Sequence, residues 1–180
     1  MGGQDKGLQP FRGEPLVAHV LRCLAPQVGT LLISANRHHA LYASFGHPVV
    51  VDGSPDQSGP LAGVLAGLVA CRSDLLAVVP CDVPFAPADL VRRLATELES
   101  ADVDVAVPRT ASGLQPAFCL MRRTVRDDLA GFLDAGGRAM HRWIERLNHR
   151  AVSFDDEQAF VNLNTLDELH AAEGRRPSDA

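Results

Sequence analysis

Residues 75–84 read LLAVVPCDVP. The first five are apolar without alternation, the pattern of a strand buried on both faces, and Asp82 follows between Pro80 and Pro84. A strand of this kind needs helices on both sides, and the flanking sequence supplies them. Pro60, a favoured first helical residue, opens an Ala/Leu-rich segment to about Arg72. Pro87 to Glu99 is amphipathic, with Leu90, Val91, Leu94 and Leu98 on one helical face. Further out the alternation repeats. Upstream, Pro15 precedes Leu16, Val20, Leu21 and Leu24 at helical spacing, and TLLISA (30–35) and PVVVD (48–52) read as short strands around a helix-like stretch at His38 to Phe45. Downstream, Val103 to Val107 and Ala117 to Met121 read as strands joined by a turn at Ser112-Gly113. Helices follow at about Thr124 to Ala135 and Arg138 to Leu147, then a strand near Ala151 to Phe154 and a last helix to about Ala172.

Strands separated by single helices predict an α/β domain built on a mostly parallel sheet with helices on both faces. One domain is expected over residues 1–173, with a frayed tail at 174–180. In such sheets ligands gather outside the carboxyl ends of the strands, so motifs at strand ends carry the chemistry.

Composition narrows the function classes. The 180 residues are 46% hydrophobic and 22% charged, the balance of an ordinary folded protein. A formal charge of −5 argues against a duplex-binding protein, so no nucleic-acid partner is expected. No apolar run approaches the roughly 18 residues of a membrane span and no signal-peptide pattern opens the chain, so a cytoplasmic protein without membrane attachment is expected. Cys23, Cys71, Cys81 and Cys119 form no Cys-x-x-Cys pair and lie in apolar surroundings, and the seven histidines show no metal spacing; a structural transition metal is not expected. The basic residues are sixteen arginines and one lysine, Lys6.

Four segments can carry chemistry. Gly2-Gly3-Gln4-Asp5-Lys6-Gly7 combines glycines, which let backbone N–H groups approach an oxyanion, with one ammonium. Leu8 stands where a Walker loop has its magnesium-binding hydroxyl, so this is not that loop; a merely glycine-rich tail explains the letters about as well. Asp82 ends the most apolar strand, where a carboxylate can bridge a divalent cation to phosphates, or serve as a turn aspartate. Asp52 ends another strand, and SGPLAG at 58–63 starts a helix whose first amides favour anions; a simple strand-to-helix connection reads nearly the same. In Asn162-Leu163-Asn164-Thr165, Thr165 suits a helix cap with Glu168 three residues on, whereas Asn162 has no capping role. No Gly-x-Ser-x-Gly elbow is present. Nucleotidyl transfer to an acceptor that is already a phosphate requires no protein nucleophile, only alignment and charge neutralisation.

Taken in order, MGGQDKGL (1–8), SANRH (34–38), VVVD (49–52), SGPLAG (58–63), PCDVP (80–84), LQPAFCL (114–120) and FVNLNTLDEL (160–169) resemble the molybdenum cofactor guanylyltransferase family. The resemblance spans nearly the whole chain. It implies a Rossmann-like nucleotidyltransferase fold, with GMP transferred from Mg2+-bound GTP to molybdopterin or its molybdenum-loaded form and pyrophosphate released. It also implies roles. Lys6 matches a catalytic lysine on the nucleotide phosphates and Asp82 a catalytic, magnesium-binding aspartate. Gly2, Gly3, Ser34, Asp52, Gly59, Pro60, Leu61, Ala62 and Gly63 match nucleotide-binding positions, Ser34 standing where family members carry asparagine. Asn162 and Asn164 match an asparagine pair near the acceptor.

The family pattern begins with a strand and Leu-Ala-Gly-Gly ahead of the methionine at position 1. That implies a first strand absent between those at 30–35 and 75–80, and weaker GTP binding than in a version extended by it. A monomer is expected, with cofactor-inserting or chaperone proteins of the same pathway as partners. Three other functions fit the motifs: a CTP-using relative, a sugar-phosphate nucleotidyltransferase, and a noncatalytic cofactor-handover module. Arg138, beside Gly136-Gly137, is a candidate grip on the acceptor phosphate, although Arg142 and Arg146 continue its row as a solvated helix face.

Overall fold

The computed structural model describes residues 5–52, 59–99, 102–163 and 168. Gly2, Gly3, Asn164, most of the last expected helix and the tail at 174–180 lie outside them. In chain order the elements are β1 (Pro10–Phe11), β2 (Glu14–Pro15), α1 (Leu16–Leu24), β3 (Ile33–Ser34), α2 (His39–Ala43), β4 (Val49–Val50), α3 (Pro60–Ala70) and β5 (Leu75–Val78). They continue as α4 (Leu90–Glu99), β6 (Val105–Thr110), β7 (Gly113–Leu114), β8 (Cys119–Arg122), α5 (Arg126–Asp134), α6 (Met140–Ile144) and β9 (His149–Ser153).

Period-two alternation assigns each strand's side chains to two cores. Leu76 and Val78 of β5, Val105 and Val107 of β6, and Cys119 and Met121 of β8 face one side, where Leu61, Val64 and Leu68 of α3 pack with Leu129 and Leu133 of α5 and with Trp143 and Ile144 of α6. Leu75, Ala77, Ala106 and Leu120 face the other, under Leu90, Leu94 and Leu98 of α4. Each large apolar side chain fully buried here contributes roughly 1.5–3 kcal/mol. Trp143 is wholly buried, and its indole N–H donates to Asp128 Oδ1 at 2.9 Å. Helices thus cover both faces, as the apolar strands require.

The strand pairing is mixed. β3 pairs β4 and β6 pairs β9 in parallel, whereas β8 runs antiparallel to both β5 and β6. The cause is the turn at Ser112-Gly113: β6 folds back directly into β7, and β8 continues along the same edge of β6. A hairpin of this kind fixes antiparallel order where a helical crossover would give parallel order.

β3 and β4 form a two-stranded sheet of their own, and among the described residues no strand joins β3 to β5. Helix α3 spans that separation, touching β3, β4 and β5. β5, the most apolar strand by sequence, is accordingly only half-buried along its length. Helix α1 starts at Leu16 and not at Pro15, because Pro15 holds an extended ψ of 144° and pairs with Pro10 in the β1–β2 hairpin.

Candidate functional site

β5 runs out through Val79, Pro80 and Cys81 to Asp82, whose side chain is buried, with 6% of the residue exposed. Two segments far apart in sequence converge on it. Lys6, the first residue of a short 3-10 turn, brings its ammonium to 3.9 Å from Asp82 Oδ2, and Asn162 brings its side-chain amide to 3.5 Å from the same oxygen. The Asp82 carbonyl accepts the Leu163 N–H at 3.0 Å, which ties residues 160–163 against the end of β5. Burial pushes the Asp82 carboxyl above its usual range, while the Lys6 charge, a backbone hydrogen bond and the Asn162 amide pull the other way. The result is a carboxylate largely taken out of water, whose side-chain contacts to Lys6 and Asn162 are long, and a hard oxygen donor placed for a cation.

A second group forms where β3 and β4 end. The Asp52 N–H donates to Asn36 Oδ1 at 3.2 Å, and Asp52 Oδ1 is buried with no hydrogen-bond partner among the described residues. A buried acceptor left unpaired is costly, so this oxygen is suited to a donor from a ligand. Ser34 is exposed at the end of β3, and α3 comes close enough that a Cβ on Gly63 would lie 2.7 Å from Ser34 Oγ. Gly59, with φ at +152°, and Pro60 open α3 and are exposed. Leu61 and Ala62 turn their side chains inward, so only backbone from this part of the segment remains to meet a ligand.

Lys6, Asp82 and Asn162 are therefore brought together, as are Ser34 and Gly63, while Asp52 lies just beyond β4 against Asn36. Arg138 is engaged elsewhere. Its guanidinium donates to the carbonyls of Leu133 at 2.9 Å and Gly137 at 2.6 Å, closing the end of α5. Three of the cysteines stay thiols at neutral pH: burial pushes Cys81 and Cys119 up to about 12 and raises Cys23 as well. That agrees with a site that uses no protein nucleophile.

Sequence reasoning missed three residues at the same end of the sheet. Tyr42 Oη donates to Asp5 Oδ1 at 2.6 Å, and His38 Nδ1 lies 3.1 Å from Asp5 Oδ2. Their separations of 37 and 33 positions leave no local spacing to detect. The one available signal was that Tyr42, the chain's single tyrosine, needs a partner for its hydroxyl if its helix packs on the sheet.

Comparison with known proteins gives a consistent result. The family model described as MobA-like NTP transferase domain matches residues 1–151. The molybdenum cofactor guanylyltransferase of Cupriavidus pinatubonensis is 50% identical over 178 residues, covering 96% of this chain and 89% of that protein. The enzyme of the same name from Ralstonia pickettii is 49% identical over 185 residues, covering 98% and 91%. Among solved structures, molybdopterin-guanine dinucleotide biosynthesis protein A from Archaeoglobus fulgidus superimposes with a TM-score of 0.79 at 25% identity, covering 95% of this chain and 90% of that one. The 2-C-methyl-D-erythritol 4-phosphate cytidylyltransferase of Thermus thermophilus shares the fold, with a TM-score of 0.72 at 17% identity and 93% and 92% coverage.

Proposed function

The chain belongs to the MobA-like NTP transferases and, among them, to the molybdenum cofactor guanylyltransferases, and on that premise we propose that Lys6, Asp82 and Asn162 form the reacting end of its nucleotide site. The activity is a nucleotidyl transfer: GMP passes from GTP to molybdopterin, giving the guanine dinucleotide. An oxygen of the acceptor phosphate attacks the α-phosphorus of GTP, the bond between the α- and β-phosphates breaks, and pyrophosphate leaves. The attacking oxygen is already anionic. The protein's work is therefore to align two polyanions and to neutralise them while charge shifts.

Lys6 supplies a compact, mobile positive charge that follows the phosphates. Asp82 is the residue that would hold Mg2+. It fits because its buried carboxylate meets Lys6 and Asn162 only at long range, and Mg2+ sites of this class use one or two carboxylates with substrate phosphates completing the set. When bound, Mg2+ would neutralise phosphate oxygens. Asn162 orients the Asp82 carboxylate on the acceptor side, and the family resemblance extends that role to Asn164, which lies outside the described residues. Ser34, Asp52, Gly59 and the backbone from Pro60 to Gly63 serve the nucleoside, and the family resemblance assigns Gly2 and Gly3, outside the described residues, to the same nucleotide. The enzyme acts as a monomer on molybdopterin or its molybdenum-loaded form.

The observation that carries this reading is the 3.9 Å approach of Lys6 to buried Asp82 at the end of β5. Its test is transfer of label from α-phosphate-labelled GTP to molybdopterin in Mg2+, with CTP and ATP in parallel. A labelled dinucleotide from GTP alone is expected; no transfer, or preference for CTP, overturns it. Among the described residues no helix is long and apolar enough to cross a membrane.

Gly63→Ala tests the nucleoside side. Alanine exceeds glycine in helix propensity by about 0.8–1 kcal/mol, so thermal stability holds or rises. The new methyl displaces Ser34, which raises the KM for GTP several-fold with kcat little changed. A KM equal to the parent's removes Ser34 from the nucleotide site.

A further inference from the structure

Asp5 immediately precedes Lys6, and both oxygens of its carboxylate are held by one face of α2. Tyr42 Oη donates to Oδ1 at 2.6 Å, and His38 Nδ1 sits 3.1 Å from Oδ2. His38, the residue just ahead of α2, and Tyr42, on its first turn, reach the same carboxylate. His38 starts that helix: its carbonyl accepts the N–H groups of Leu41 at 2.9 Å and Tyr42 at 3.0 Å. Its φ of +52° lies in the left-handed region, costly for a residue other than glycine, and persists only where surrounding contacts enforce it. Tyr42 is 3% exposed, so its hydroxyl depends on the Asp5 carboxylate for a partner.

The same hydroxyl also touches the residue after Lys6. A Cβ placed on Gly7 would lie 2.6 Å from Tyr42 Oη and 3.1 Å from Cys81 Sγ, the side chain next to Asp82. Gly7 is thus packed between Tyr42 and Cys81, and Asp5 is tied through its carboxylate to the start of α2, so both chain neighbours of Lys6 are held.

We propose that Tyr42 and His38 are positioning residues for Lys6, clamping Asp5 so that the ammonium is held over Asp82 and the nucleotide phosphates. The proposal rests on the reading of Lys6 given above. It deepens that reading, because none of the three clamp residues touches the reacting atoms.

Lys6 is the chain's single lysine, which gives a direct test. Acetylation of Lys6 by an N-hydroxysuccinimide ester, located by mass spectrometry on the full chain with increasing Mg2+-GTP, measures occupancy at this residue alone. GTP protects Lys6 in the parent, and Tyr42→Phe requires about ten-fold more GTP for half-protection. In turnover, Tyr42→Phe lowers kcat/KM for GTP about ten-fold in the parent and less than two-fold in a Lys6→Ala background. Asp5→Asn, which still accepts from Tyr42, recovers most of the activity that Asp5→Ala loses.

Equal protection in parent and Tyr42→Phe overturns the clamp while leaving the role of Lys6 intact. So does an equal loss from Tyr42→Phe with and without Lys6, the result of a merely structural role. If GTP fails to protect the parent, the reading of Lys6 falls and the clamp falls with it.

Discussion

Asp82→Asn abolishes magnesium-dependent transfer, with kcat falling about 10^3-fold, while the fold is retained or made more stable. One preorganised electrostatic contact to developing charge is typically worth about 10^2–10^3 in rate, and Asp82 supplies both a charge and a cation position. Retained stability follows from the sign of its proton affinity. Burial raises the Asp82 carboxyl, so the metal-free folded state binds this proton more tightly than the unfolded chain does. Its contribution to stability is then fully present below the unfolded value of about 3.9 and is lost as pH rises through the folded value. At neutral pH the ionised group is a burden on the fold, which asparagine removes at nearly equal volume. Initial rates of pyrophosphate release across a Mg2+ series, with thermal denaturation of the same samples, check both halves. A rate within ten-fold of the parent, or a large fall in Tm, assigns Asp82 to structure instead.

Lys6→Ala produces the second large effect: kcat/KM for GTP falls about 10^2-fold or more with stability scarcely altered. The Lys6 side chain is 51% exposed and its pairing with Asp82 is long at 3.9 Å, so the pair stabilises the fold by no more than about 1 kcal/mol. Lys6→Arg restores only part of the loss, since a planar guanidinium imposes a fork geometry where a point charge must follow a moving phosphate. The variant without any lysine also serves as the blank for amine labelling. Turnover within a few-fold of the parent would show that Lys6 does not meet the phosphates.

The order of strands and helices was legible because apolar runs and amphipathic stretches alternate along the chain; the two-sided burial of β6 and β8 follows from the same runs, whereas β5, read as buried on both faces, is only half-buried. The sense of pairing was less legible. A turn at Ser112-Gly113 was visible, but its consequence, an antiparallel return that carries β8 between β5 and β6, belongs to tertiary order. The β1–β2 hairpin was hidden by Pro10, which argues against a strand but is tolerated at the start of a two-residue edge pair. It turns on Arg12 and Gly13, both at positive φ.

In the site, the family resemblance pointed to Lys6, Asp82 and Asn162 separately, and the fold unites Asp82 with Asn162 across 80 positions of sequence and brings Lys6 to the same oxygen. The Asp5 clamp was less legible: Asp5 and His38 stand in the motifs at 1–8 and 34–38, but nothing in the spacing shows that they meet, or that Tyr42 joins them. Arg138 shows the opposite case. A cation beside two glycines invites a ligand, yet one nitrogen of its guanidinium is already used by carbonyls at the end of α5.

The buried indole of Trp143 has a practical consequence for optical work on this protein. The chain has one tryptophan and one tyrosine, and they report on different regions. Trp143 lies in the core shared by α3, α5 and α6, whereas Tyr42 lies against the loop that carries Lys6. Emission from the indole therefore follows melting of that core, and near-ultraviolet signals from the phenol follow the loop. Loss of the phenol signal ahead of the indole would mark local opening of the nucleotide end before global unfolding, resolved without any added label.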